Sequence, residues 1–280
     1  MSNTGPIVVK IGGTGVESSR ETPGLWAALR DLQHAERAAG RSGVVVVHGG
    51  GRAADTLLAK LGMETVRRNG LRVTPQEHLE IISGVLGGRI NKSIVAALQA
   101  CGQQAVGLWP GECSTARLRV HAPGGTDLGL VGEITGGDPS FIQSLLSAGI
   151  MPVFSPIGLD ESGGMLNINA DDVAASIAAI VSARVLVLLT DVPGLLGPNR
   201  QPVASASPDQ IEAWIREGVI TGGMVPKVRA ALRAVSLANV PTVIRSWDDP
   251  ETLPSIAEGN GLGTWLVPSA GSHSFSEHLS

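Results

Sequence analysis

Short apolar runs alternate along the chain with longer segments in which apolar residues recur every three or four positions. The runs are Ile7–Ile11, Val44–Val47, Ala105–Leu108, Ile150–Ser155, Val185–Leu189 and Thr242–Ile244. Continuous β-branched or apolar residues of that length suit strands covered on both faces. The helical spacing falls in Leu25–Ala38, Arg52–Leu61, Gln76–Gln99, Pro139–Ala148, Asp171–Ser182, Pro208–Glu217, Val225–Leu237 and Pro254–Glu258. Such alternation predicts right-handed βαβ units. The expected fold is α/β: a three-layer αβα sandwich with a mainly parallel central sheet. Leu118–Ile134 breaks the pattern, with Pro123-Gly124-Gly125 between two short apolar pieces, and reads as a hairpin.

Gln76–Gln99 is the longest helical segment, with Leu79, Ile82, Val85, Leu86, Ile90, Ile94, Val95 and Leu98 on one stripe. That stripe suits a core helix. Gly84, Gly87 and Gly88 are poor helix residues, and close packing against a second helix would explain them, so a homodimer contact is expected here. Residues after Pro268 are polar and read as a frayed tail.

Bulk properties narrow the classes. The chain has 280 residues, 43% of them hydrophobic, and a net charge of −4 without a basic run, which argues against duplex nucleic acid as a partner. Its two cysteines, Cys101 and Cys113, form no CxxC pair, so neither a disulfide framework nor structural zinc is expected, and a cytoplasmic setting is. Strand-like residues begin at Ile7, leaving no room for a signal peptide. No apolar stretch approaches the roughly 20 residues that span a bilayer, so no membrane is expected. The chemistry suggests two lobes, 1–182 and 183–280.

Four segments carry that chemistry. In Val44–Gly51, four valines end in His48-Gly49-Gly50-Gly51 and a helical pattern resumes. Strand, glycine turn and helix N-terminus together favour an anion; His48 reads as a packed side chain without a catalytic role. In Val8–Thr14, Lys10 sits inside an apolar strand just before Gly12-Gly13, costly unless its ammonium reaches an anion or the strand end. In Leu166–Asp172, Asn169 or Asp171 can cap the next helix, and the same turn can hold a ligand. In Thr221–Lys227, Lys227 lies in the first turn of a helix, near its positive end. That position makes sense when the lysine faces an anion; a solvated surface lysine is the alternative. Two glycine turns, two lysines and an acid describe a centre for phosphoryl transfer, which needs positioning and charge neutralisation. The motifs GxxxxGK[ST] and GxGxxG are absent, which disfavours a phosphate-loop NTPase or a classical NAD enzyme.

Six motifs in this order and spacing resemble the amino acid kinase family: VVKIGG at 8–13, VVVVHGGG at 44–51, NGLRVT at 69–74, NINAD at 167–171, LLTDVPGLL at 188–196 and TGGMVPKV at 221–228. The resemblance runs from about Pro6 to Val267. It is strongest to members that phosphorylate the γ-carboxylate of N-acetyl-L-glutamate in arginine biosynthesis. It implies an αβα sandwich, an N-terminal lobe for acetylglutamate and dimerisation, and a C-terminal lobe for ATP. Lys10 and Lys227 would stabilise the transferring phosphoryl group and Asp171 would orient both. Gly13 would contact phosphate; Gly50, Gly51, Arg72 and Asn167 would hold the acceptor. Asp191, Val192, Pro193, Gly194, Leu195 and Leu196, with Val219, Ile220 and Thr221, would meet ATP. Magnesium would ride on ATP oxygens and water, with no protein metal ligand. Arginine-inhibited members carry an extra N-terminal helix; six residues precede Ile7 here, so an arginine-insensitive homodimer is expected. The alternatives are an aminoadipate-type kinase of lysine biosynthesis and a non-catalytic nucleotide-binding protein of the same fold.

Overall fold

The computed structural model describes residues 4–17, 23–68, 70–222, 224–258 and 263–266; the side chains of Thr14, Glu17, Pro23, Pro226 and Lys227 lie outside the described set, as does the polar tail expected after Pro268. The main sheet contains, in chain order, β1 (Ile7–Ile11), β2 (Val44–His48), β3 (Ala105–Leu108), β4 (Met151–Phe154), β5 (Val185–Thr190), β6 (Ser205–Ala206), β7 (Thr242–Ser246) and β8 (Thr264–Leu266). Their spatial order is β6-β8-β7-β5-β1-β2-β4-β3. Every neighbouring pair is parallel except β7 with β8. β1 stands at the centre, pairing with β2 on one side and β5 on the other. The chain reverses its direction of growth across the sheet there, the place where open α/β sheets form a ligand crevice beyond their carboxyl ends.

Strand alternation splits the core into two layers. Ile7, Val9, Ile11, Val44, Val46, Val185, Val187 and Leu189 face one side, packed with Leu25 and Leu29 of helix Pro23–Ala38, Leu58 of Gly51–Lys60, and Leu79, Ile82, Ile94 and Leu98. Val8, Val45, Val47, Leu186 and Leu188 face the other, against Val173 and Ile177 of helix Ala170–Ile180, Ile211 of Pro208–Arg216, and Ala231 and Val235 of Met224–Ala238. Two covered faces explain why the strands read as unbroken apolar runs. The expected three-layer sandwich is the observed one, and the expected hairpin forms between Arg117–Val120 and Gly132–Gly136.

Three local expectations change. The long helix is continuous over Gln76–Ala100, but residues Gly84–Ile90 are wound as a π-helix between two α-helical pieces. By length and composition alone it could cross a membrane, contrary to the sequence expectation, and 56% of its most apolar window is buried inside the fold. Of its three glycines, Gly87 packs on the Trp109 indole, where a Cβ would overlap the ring, while nothing lies within 4 Å of a Cβ built at Gly84 or Gly88. Residues Pro250–Glu258 form a 3-10 helix rather than an α-helix confined to Pro254–Glu258.

A buried ionic joint lies at the amino ends of β2 and β5. Glu36, fully buried on helix Pro23–Ala38, accepts two hydrogen bonds from Arg184 at 3.0 and 2.6 Å and one from Arg41 at 3.1 Å. Both arginines also donate to the Ala257 carbonyl, at 3.1 and 2.7 Å. The carboxylate's charge is matched on all accessible sides, the condition for burying it.

Candidate active site

Strand parity decides what Lys10 can reach. On β1 it shares a face with Val8, and its lateral neighbours are Leu188 on β5 and Val47 on β2. That face is covered by helix Ala170–Ile180, so the ammonium meets the helix's first turn, where Lys10 Nζ lies 2.9 Å from Asp171 Oδ1. Asn169 caps this helix, its Oδ1 accepting from the Asp171 and Asp172 amides at 2.8 and 3.4 Å. Capping therefore falls to Asn169, which leaves the Asp171 carboxylate for Lys10. The pair is neither sealed nor bare: the side chains are 15% and 24% exposed.

The two glycine turns are stacked beside this pair. The Gly49 amide donates to Ile11 O at 2.9 Å and the Gly12 amide to Leu189 O at 3.1 Å, which extends the ladder past the strand ends and holds both turns level. A Cβ on Gly49 would lie 3.2 Å from the Gly13 nitrogen, and one on Gly13 would lie 3.5 Å from the Gly50 nitrogen. Gly50 has φ 131° and is the N-cap of helix Gly51–Lys60 without a side-chain cap. The helix's first amides are thus left for a ligand. His48 is fully buried; its Nδ1 donates to Gly49 O at 2.7 Å and its Nε2 faces Asn91 Nδ2 at 3.2 Å. Burial lowers its pKa to about 4 against the opposing pull of the Gly49 carbonyl. It is a neutral structural histidine, as expected.

Two cavities open on either side of Lys10 and Asp171. One, of about 330 Å³, is lined on the β5–β7 side by Leu188–Val192, Leu195, Met224, Val228, Ala231, Ile244 and Trp247. The other, of about 340 Å³, is lined by Gly49–Gly51, Arg67, Arg72, Leu86, Pro156 and Asn167–Ala170. Gly13, Arg52 and Asp171 line both. The first is mostly apolar with a polar end at Lys10. The polar part of the second is made by the Gly49–Gly51 turn, the arginines, Asn167 and Asn169, a set suited to a small polyanion.

Most of the expected site residues meet here. Gly50, Gly51, Arg72 and Asn167 line the second cavity. Arg72 is 7% exposed; its Nη2 donates to Gly51 O at 2.8 Å and to Asp55 Oδ1 at 2.6 Å. Burial pushes its pKa below the usual range, with Asp55 opposing and Arg67 adding to the fall. Its Nε is buried without a hydrogen-bond partner. Asn167 Nδ2 donates to Thr74 Oγ1 at 3.0 Å. Of the residues expected to meet nucleotide, Asp191, Val192 and Leu195 line the first cavity. Pro193, Gly194, Leu196, Val219, Ile220 and Thr221 are not among its lining residues. Ile220 is packed in the core, Leu196 points to solvent, and Gly194 turns against Thr264. Lys227 belongs to the first turn of Met224–Ala238, and its side chain lies outside the described residues.

Two lining residues carried no signal in the sequence reading. Trp247 follows β7, and its ring lies over the first turn; a Cβ on Gly15 would sit 3.0 Å from it. A lone tryptophan after a strand says nothing by itself. Arg52 follows the three glycines as the first residue of the expected helix Arg52–Leu61, and it lines both cavities.

The Amino acid kinase family model matches residues 5–246 of the chain. The acetylglutamate kinase of Vibrio campbellii is 38% identical over 267 residues, covering 95% of this chain and 98% of that protein. The acetylglutamate kinase of Sodalis glossinidius is 38% identical over 262 residues, covering 94% and 99%. Among solved structures, smu.665 from Streptococcus mutans UA159 is similar with a TM-score of 0.74 at 26% identity, covering 94% of this chain and 99% of that one.

Proposed function

The chain belongs to the amino acid kinase family, and from that premise we propose how its two cavities divide one phosphoryl transfer. The chain is a kinase that phosphorylates the side-chain carboxylate of N-acetyl-L-glutamate from ATP, a step of arginine biosynthesis. We assign ATP to the cavity between Leu188 and Trp247 and acetylglutamate to the cavity between Gly49 and Asn167. This corresponds to a C-terminal lobe, 183–280, for nucleotide and an N-terminal lobe, 1–182, for acceptor, with β1 serving both. The observation that carries the assignment is the Lys10–Asp171 pair in the wall between the cavities, 2.9 Å apart.

In this reading an acceptor carboxylate oxygen bonds to the γ-phosphorus. The bond from phosphorus to the β–γ bridging oxygen breaks, and ADP departs with that electron pair. No proton moves, because the acceptor carboxylate is already ionised at neutral pH, so a neutral buried His48 is no handicap. Charge spreads over the three equatorial oxygens as the group passes. Lys10 neutralises part of it, the Gly13 and Gly50 amides face the same oxygens, and Asp171 keeps Lys10 from swinging away. Lys227 is assigned the second cation; Met224 and Val228 on either side of it line the nucleotide cavity. Arg72, held by Asp55 and Gly51, and Asn167 receive the acceptor's polar groups.

Magnesium fits this donor set as an ion carried by phosphate. Among the described residues, no group of three or more His, Cys, Asp or Glu could hold a metal, and Mg²⁺ is ordinarily bound by substrate phosphates and water with one or two carboxylates. When bound it supplies further neutralisation of phosphate charge. A homodimer through helix Gln76–Ala100 is supported by Gly84 and Gly88, one turn apart with open space at their Cβ positions. A cytoplasmic setting is supported by two unpaired cysteines, Cys101 and Cys113. The testing experiment measures ADP release from MgATP with N-acetyl-L-glutamate, with aminoadipate and with no acceptor. Release that requires acetylglutamate is expected; nucleotide binding without turnover would overturn the reading.

A further inference from the structure

Two arginines of the acceptor cavity meet one carboxylate. Arg67 and Arg72 stand directly opposite each other where Arg67–Arg68 pairs antiparallel with Leu71–Arg72, and both line the cavity. Like charges facing across a ladder repel. Asp55 offsets that repulsion: its Oδ2 accepts from Arg67 Nη2 and its Oδ1 from Arg72 Nη2, each at 2.6 Å. Asp55 is not itself among the residues that line the cavity. Resting on the reading above, we propose that Asp55 is a positioning residue for the acceptor, acting through Arg72 and Arg67 on the carboxylate of acetylglutamate that does not react.

The helix sets the geometry. Asp55 stands four residues after Gly51 on helix Gly51–Lys60, so the two share a face. Arg72 Nη2 uses both, donating to Gly51 O at 2.8 Å as well as to Asp55. The guanidinium therefore lies along the same turn that presents the Gly50 and Gly51 amides. A planar guanidinium directs its donors along fixed lines, so anchoring one nitrogen fixes where the others point. Arg72 is buried, and its Nε has no partner in the protein. The charges also match. Two guanidiniums and one carboxylate leave this trio a single positive charge. N-acetyl-L-glutamate brings two carboxylates; one goes to the phosphoryl group and one remains for that charge. Asp55 touches neither the phosphoryl group nor the atoms that react, and its effect falls on how the acceptor is held.

The test uses the full chain with MgATP and N-acetyl-L-glutamate. Asp55→Asn keeps the shape of the side chain but sets an amide donor against a guanidinium. The KM for acetylglutamate is expected to rise about tenfold, the loss of one charge-assisted hydrogen bond, while kcat and the KM for ATP stay within about threefold. Charge alone predicts the opposite sign, because removing a negative group beside the cavity would tighten a dianionic acceptor and lower its KM. Asp55→Glu keeps both ion pairs but moves the carboxylate by one methylene. Its KM for acetylglutamate is expected to fall between those of the parent and Asp55→Asn, and it gives the same reading should Asp55→Asn fail to fold. A KM for acetylglutamate lowered, or within about twofold of the parent, in either variant would overturn the proposal. So would a kcat lowered more than about threefold in a variant with the parent's circular dichroism spectrum. An inactive parent would instead overturn the kinase reading on which the proposal rests.

Discussion

Gly50 carries a cost that can be worked out before it is measured. Its φ is 131° and ψ 14°, a conformation that costs a residue with a Cβ about 1–2 kcal/mol. A Cβ there would also lie 2.5 Å from Ile90 Cδ1 and 3.0 Å from Leu86 Cδ2. Both atoms come from the π-wound stretch Gly84–Ile90, which pushes these side chains against the turn. Overpacking of this kind costs about 1–3 kcal/mol, so Gly50→Ala should destabilise the protein by about 3 kcal/mol in all. The steric share can be separated from the backbone share. Ile90→Val removes the Cδ1 atom and alone should cost about 1 kcal/mol. The double variant should be less destabilised than the sum of the singles by about 1 kcal/mol, since the nearest clash is gone while the backbone strain and Leu86 remain. Urea unfolding midpoints of the four proteins give the cycle directly. Additive costs, or a neutral Gly50→Ala, would refute the idea that the π-helical stretch and the glycine turn are packed as one unit.

Lys10→Ala should lower kcat at least about 10²-fold with the circular dichroism spectrum unchanged, and near-normal turnover would contradict the assignment of Lys10. Glu36→Ala strands Arg184 and Arg41 in a buried joint and should cost about 3 kcal/mol; a shift in urea midpoint equivalent to less than about 1 kcal/mol would contradict that account. The folded state keeps His48 neutral to a pKa of about 4, whereas an unfolded histidine takes up its proton near pH 6.5. Stability contributed by His48 is therefore complete above pH 6.5 and lost as pH falls from 6.5 to 4, by about 3 kcal/mol in total. In His48→Gln the fall in unfolding free energy across that window should be smaller by this amount, and equal falls in both proteins would contradict the assignment.

The parts of the fold legible in the sequence are those with a local cause. A strand buried on both faces cannot avoid a β-branched apolar run, so β1, β2, β3 and β5 could be placed within a residue or so. A lysine in such a run must escape through the strand's end, which is why Lys10 stood out. The parts that were not legible have distant causes. β6 and β8 are two and three residues long; they exist because Trp265 and Leu266 of β8 pair with β6 and Thr242–Ile244 of β7 pairs with β8 in antiparallel register, and because Thr264 Oγ1 accepts from the Leu195 amide and donates to Val203 O. The π winding of Gly84–Ile90 leaves the apolar stripe intact and so is invisible to periodicity. Asp55 lies within the expected helix Arg52–Leu61, and only tertiary folding brings it to Arg67 and Arg72. Ile220 and Leu196 were likewise placed by motif alone, and only tertiary folding packs the first in the core and turns the second to solvent.

The central claim is that a phosphoryl group crosses from one cavity to the other onto a carboxylate. Hydroxylamine converts an acyl phosphate to a hydroxamate, so hydroxamate and ADP can be counted in one reaction of MgATP, N-acetyl-L-glutamate and the full chain. The account predicts equal amounts of the two, both lost together in Lys10→Ala. ADP formed without hydroxamate would mean that the group goes to water or to another acceptor, and would contradict it.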